Sequence, residues 1–219
     1  MTKPLLPRLD ILPPAQRRLW AELNSVAPNF VLYGGTGLAL HLGHRISVDF
    51  DFFTSEAIDP PTIYRETPFL RRSTIIQQAP NTLTCLIDRK GPVKVSFFGL
   101  PHLTLLRDAH TAHGNNLRIA SLLDLAATKA VAVQNRLEAK DYIDIDALIS
   151  AGIALPTVLA AAKRAFGKSF APLATLKALT YFDEGNLQSL PDDVKLRLVN
   201  AVAAVDPLML PAIKRSVSQ

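Results

Sequence analysis

A single cysteine, Cys85, stands in 219 residues. One thiol closes no disulfide within the chain and builds no cysteine-based metal site. Long apolar runs are missing too. None approaches the roughly 20 residues that a membrane-spanning helix needs, so no membrane association is expected. The opening stretch MTKPLLPRLDILPPAQRR carries an aspartate and several prolines where a secretory leader would have its apolar centre. A cytoplasmic location is therefore expected. There is no internal repeat and no low-complexity segment.

What is present suits a globular protein, with 48% apolar and 20% charged residues. The length allows one large domain or two small ones with a real core. Lys and Arg outnumber Asp and Glu by 24 to 19. That excess is compatible with a nucleic acid or a phosphate-rich ligand, and many basic proteins bind neither.

Composition changes near residue 118. Before it, short β-type runs alternate with turns. After it, alanine and leucine recur at helical spacing. Pro13 and Pro14 precede an expected helix, AQRRLWAELNSVA, that ends before Pro28. FVLY (30–33) reads as a buried strand, Gly34-Gly35 as a turn, and Thr36 as the cap of the helix GLALHLG. ISVDFDFF (46–53), STIIQQ (73–78), TLTCLID (82–88) and VKVSFFG (93–99) read as strands, with turns at Asn81 and Arg89-Lys90-Gly91. The first half is then a mixed α/β unit of four to five strands. Helices are expected over 121–136, 139–152, from Pro156 to about Phe166, over 171–182 and over 191–205. The fold class expected is α+β: a mixed sheet with flanking helices over residues 1–118, then a helical bundle over 119–219.

Two carboxylates interrupt an apolar strand. Alternation puts Asp49 and Asp51 on one face, with α-carbons about 6.6 Å apart, and Val48, Phe50 and Phe52 on the other, in the core. Two such carboxylates repel each other. They can face water, pair with Arg or Lys, or share a hard cation such as Mg²⁺. A glycine turn between strand and helix lets a phosphate approach the backbone and the positive end of the helix dipole. The two features lie thirteen residues apart. Together they suit phosphoryl or nucleotidyl transfer, in which the protein positions groups and neutralises charge.

GGTGLALHLGHRISVDFDFF resembles the AbiEii/AbiGii toxin family of nucleotidyltransferases, within the DNA polymerase β-like superfamily. The likeness extends to ASLLDLAATKAVAV, RLEAKDYIDIDALI and LKALTYFDE, and so covers most of residues 30–184. It implies a nucleotidyltransferase fold followed by a helical domain, with Mg²⁺ as cofactor and a nucleoside triphosphate (NTP) as substrate. It also implies a cognate antitoxin as partner, and an RNA acceptor such as the acceptor end of tRNA. By the same likeness, Gly34, Gly35 and Thr36 form the phosphate-binding turn, with the Thr36 hydroxyl serving where the superfamily has serine. Asp49 and Asp51 are the metal ligands. Lys129 and Asp141 are the lysine and aspartate of the helical half. Lys129 would balance triphosphate charge, and Asp141 would act as base, extra ligand or support.

Read from residues alone, Lys129 lies on an apolar stripe with Leu122, Leu125, Ala126 and Val133. Its stem could pack there while its tip reaches water. Asp141 near a helix start is also a good dipole partner, and Lys140 and Asp144 could pair four residues apart. Arg45 could contact a phosphate, hold Asp51, or be an exposed loop residue. Ser47 could reach the nucleotide or only cap the strand. FGKS (166–169) lacks the earlier glycine of a P-loop and follows a helix, so it is set aside.

One position departs from the superfamily pattern. The strand expected to bring a third carboxylate is VKVSFF, and Ser96 stands at the matching position. Serine is a poor Mg²⁺ ligand. An active enzyme completed by Asp141 and a weakened module that only binds a nucleotide or partner both remain open.

Overall fold

The computed structural model describes residues 4–217. The expected absence of a leader rests partly on residues 1–3, which lie outside them. The chain divides into two compact units. One holds the chain through Leu103 together with Asp108–Ser121; the other holds Thr104–Arg107 and everything from Leu122 onward.

In the first unit, α1 (Pro14–Trp20) starts at a proline, whose missing N–H costs nothing there. It is shorter than expected, giving way to a single 3-10 turn at Leu23–Ser25. Next come β1 (Val31–Leu32), α2 (Gly34–Leu42) and β2 (Asp49–Thr54). A short helix that the sequence did not signal, α3 (Pro60–Glu66), begins behind an Asp59 cap whose carboxylate accepts from the Thr62 N–H at 3.2 Å. Then follow β3 (Thr74–Ala79), β4 (Thr82–Asp88) and β5 (Pro92–Gly99). The turns between them bend at Asn81, Lys90 and Gly91, all with positive φ. Two-residue strands β6 (His110–Thr111) and β7 (Arg118–Ile119) complete a seven-stranded mixed sheet of order β3-β4-β5-β2-β1-β7-β6.

The core lies on one face of this sheet. Phe50, Phe52, Val93, Val95, Phe97, Leu83, Cys85 and Ile87 are buried with Leu19, Trp20, Phe69 and Leu70. Phe52 stacks on Phe97 at 5.3 Å, and Phe30 meets Phe97 edge-on. Alternation leaves Asp49 and Asp51 on the opposite face. The expected strand start is corrected: β2 begins at Asp49, so Ile46 lies before it, and Val48 is exposed rather than in the core. β1 is two residues long and meets β2 at Phe52 and Phe53 alone, so it offers residues 46–48 no ladder.

The second unit is helical, with α4 (Leu122–Asn135), α5 (Ala139–Ser150), α6 (Leu155–Phe166), α7 (Pro172–Ala178) and α8 (Asp192–Ala203). α4 packs against α5, α6 and α7, and α5 also meets α8. Its apolar residues Leu125, Ala126, Ala130 and Val133 are fully buried. Polar groups are matched inside. The Asp124 carboxylate accepts from the N–H groups of Leu106 and Arg107 at 2.8 and 3.1 Å, and the Thr175 hydroxyl donates to the Ala130 carbonyl at 3.1 Å. Arg197 grips Asp146 through two bonds of 2.7 Å. FGKS falls at the end of α6 and in a 3-10 turn, not after a strand. Among the described residues no single helix is long and apolar enough to cross a membrane.

Candidate active site

The first turn of α2 and the start of β2 meet in the first unit. Tyr33 caps the helix with extended backbone and gives no side-chain hydrogen bond to it. The first N–H groups of a helix have no intrahelical partner, so Gly34, Gly35 and Thr36 present donors at the positive end of the dipole. The Tyr33 N–H donates to the Asp51 carbonyl at 2.8 Å, which ties the turn to the strand. Tyr33 also stacks on Phe53 at 4.8 Å.

Glycine is required at the first position of this corner. Gly34 has φ +67°, and a Cβ there would lie 2.5 Å from Oδ2 of Asp51. A Cβ on Gly35 would run into the Arg45 guanidinium and approach Ser47 Oγ to 3.2 Å. The bare backbone thus lets one carboxylate and one guanidinium close on the same turn.

Thr36 behaves differently from the expectation. It is the third residue of α2 rather than its cap, and it is only 1% exposed. Its hydroxyl bonds to the Asp49 carbonyl and to Ser47 Oγ, the latter at 2.8 Å. Its side chain fastens helix to strand. Ser47 is buried in the loop before β2, not on the strand. Arg45 donates to the Ile46 carbonyl at 3.0 Å and lies over Gly35.

On the sheet face, β2 and β5 run parallel with Asp49 opposite Lys94 and Asp51 opposite Ser96. Residues in register share a face. Ser96 is buried and continues to Thr84 on β4. The Lys94 ammonium meets Asp49 Oδ2 at 2.9 Å, with side chains 42% and 32% exposed. Lys94 is the site residue that the sequence reading missed. The clue was present: once Ser96 is assigned to the metal-facing side of VKVSFF, alternation puts Lys94 there too.

Two partly exposed carboxylates beside an uncapped helix start fit a hard divalent cation carrying a phosphate. Among the described residues no three His, Cys, Asp or Glu side chains converge, so the donor set stops at two carboxylates. His41 does not join it. Its Nε2 lies 2.9 Å from the Ala120 carbonyl and its ring meets His110 edge-on at 5.3 Å. Burial pushes its pKa down to about 4; the Ala120 carbonyl opposes this, and the His110 charge adds to it.

Lys129 and Asp141 lie in the second unit and meet each other. The Lys129 ammonium, on a residue 3% exposed, ends 2.8 Å from Asp141 and 2.5 Å from Asp144. Its tip does not reach water along an apolar stem. Asp141 also receives the Arg136 guanidinium at 2.6 and 3.0 Å. Burial alone would raise the Asp141 pKa, but Arg136 and Lys129 hold it below the ordinary carboxylate range. The Lys140–Asp144 pair considered from spacing is replaced: Lys140 pairs with Glu138 at 2.7 Å, and Asp144 turns inward to Lys129.

The comparisons with known proteins agree with this architecture. An uncharacterized protein of Aquifex aeolicus (strain VF5) is 36% identical over 122 residues, 55% of this chain and 57% of that protein. The match thus spans little more than half the length of that relative. Among solved structures, MenT4, a nucleotidyltransferase toxin of Mycobacterium tuberculosis H37Rv, has a TM-score of 0.59 at 14% identity, covering 86% of this chain and 82% of its own. A protein of H. pylori provisionally described as a nucleotidyltransferase has a TM-score of 0.52 at 16% identity, covering 86% and 92%. At those identities the likeness shows the fold. The model of the nucleotidyl transferase AbiEii toxin, type IV toxin–antitoxin system, matches residues 18–91 and 88–207, and the chain belongs to that family.

Proposed function

We propose that the chain is a Mg²⁺-dependent nucleotidyltransferase that acts as the toxin of a toxin–antitoxin pair. It would move a nucleoside monophosphate from an NTP to a hydroxyl of an RNA acceptor, tRNA-like in kind. In that reaction the acceptor O–H loses its proton and its oxygen bonds to the α-phosphorus. The bond from that phosphorus to the β-phosphate oxygen breaks, and pyrophosphate leaves. The observation that carries the reading is the closure of the Asp51 carboxylate onto the bare Gly34 backbone.

The chain's residues divide the work. The N–H groups of Gly34, Gly35 and Thr36 receive phosphate oxygens. Arg45, lying over Gly35, adds positive charge to the same spot. Thr36 and Ser47 hold helix to strand so that the turn and carboxylates keep their spacing. Asp49 and Asp51 hold Mg²⁺, which when bound neutralises phosphate charge and polarises the phosphoryl group. Lys129 and Asp141 enter through the family likeness, and the ion cluster they build inside their own unit supports a positioning role for them.

Incubation with α-labelled NTPs, Mg²⁺ and total RNA tests the proposal. Labelled RNA from wild type and none from Asp51→Asn is the expected result. No transfer by wild type counts against it. Ser96 opposite Asp51 favours a second reading, a binding module without chemistry. Stabilisation by NTP and Mg²⁺ with no labelled product on RNA or protein selects that one.

A further inference from the structure

Among the described residues no third carboxylate joins Asp49 and Asp51 in a cluster, but a cation stands beside them. β5 runs parallel to β2 and sets Lys94 directly opposite Asp49. Adjacent strands are about 4.8 Å apart, so the two side chains rise from neighbouring points on one face. The ammonium lies 2.9 Å from Asp49 Oδ2. A cation that bound that oxygen would have to displace it. The next position on the same face, opposite Asp51, is the buried Ser96, whose neutral hydroxyl adds no negative charge to attract a metal.

A two-ion site needs ligands enough to hold two dications about 3.5–4 Å apart against their mutual repulsion. Two carboxylates, with a lysine already on one of them, do not supply that. They do supply a site for one dication beside one fixed monocation. Both would face a triphosphate that brings several negative charges. The Lys94 side chain is 42% exposed, so water screens its bond to Asp49.

We propose that Lys94 is the built-in second cation of this site, so that it takes one divalent ion with its nucleotide, and Lys94 stands where a second ion would otherwise be needed. The inference rests on the nucleotide reading above. Lys94 acts by positioning phosphate charge.

Electron paramagnetic resonance of the full chain with Mn²⁺ and a nonhydrolysable NTP analogue tests it. Wild type should give the spectrum of an isolated ion. Lys94→Glu, which places a third carboxylate in register with Asp49, should give a coupled pair. Lys94→Met supplies a second, opposed signature. Without nucleotide its Mn²⁺ affinity should rise about threefold, since the competing ammonium is gone. Its affinity for the analogue should fall about tenfold, since a charged hydrogen bond is lost. A merely structural lysine would move both the same way or neither. A coupled pair in wild type overturns the proposal and leaves the nucleotide reading standing. No protein-bound Mn²⁺ in wild type overturns both.

Discussion

The Asp51 carboxylate closes on Gly34 so tightly that a methyl group on that glycine would lie 2.5 Å from Oδ2. The residue also sits at φ +67°, where side chains are strained. Gly34→Ala should therefore cost about 1–2 kcal/mol in urea unfolding. It should also weaken NTP binding more than tenfold, because either the carboxylate or the turn must move. Nucleotide affinity equal to wild type would show that the corner is not the phosphate site.

Thr36 separates two roles that a turn hydroxyl can play. Its buried hydroxyl holds the Asp49 carbonyl and Ser47. Thr36→Val should lose about 1–3 kcal/mol of stability, the cost of leaving buried polar groups unpaired, while Thr36→Ser keeps most of it. If the hydroxyl instead served a phosphate, valine would cut nucleotide affinity and leave the melting temperature unchanged.

Much of this frame is legible in the sequence. β4 and β5 show because their turns carry residues that tolerate positive φ, Asn81 and Lys90-Gly91. The helices α4 to α6 show because their apolar periodicity is long. The shared face of Asp49 and Asp51 follows from alternation alone. Other features depend on partners distant in the chain. Ile46 and Val48 look like strand, yet the neighbour that would pair with them is too short. β6 and β7 have two residues each and carry no period. The pairing of Lys94 with Asp49 is a matter of register between strands some forty-five positions apart. Lys129 reads as a lysine with a wet tip until the inward turn of Asp141 and Asp144 is seen.

The Lys129 cluster is tested by stability as well as activity. Lys129→Met leaves two buried carboxylates with less positive charge and should destabilise by about 3–5 kcal/mol. Asp141 has its pKa held low, so it contributes stability above the ordinary carboxylate range near pH 4. That stability is lost as the pH falls below this range. Asp141→Asn should flatten the acid limb of the melting profile. Loss of nucleotide transfer with an unchanged melting temperature in Lys129→Met would point instead to direct contact with the triphosphate.

His41 predicts a second pH effect, in the opposite chemical sense. Its folded pKa of about 4 lies below the ordinary histidine value near 6.5. The folded state therefore prefers the neutral ring. Its contribution is complete above pH 6.5 and falls as the pH drops toward 4. By pH 5 the loss should be about 2 kcal/mol. His41→Gln, which keeps a donor for the Ala120 carbonyl, should show a flatter profile between pH 6.5 and 5. An ordinary His41 titration near 6.5 by nuclear magnetic resonance would remove the basis of this prediction.

The most direct measurement of the central claim is thermal unfolding of the full chain with Mg²⁺, with a nonhydrolysable NTP analogue, and with both. Wild type should gain its full rise in melting temperature only when both are present. Asp51→Asn should fold yet lose that rise. A full rise in Asp51→Asn, or none in wild type with any of the common NTP analogues, would contradict a site built from one glycine corner and two carboxylates.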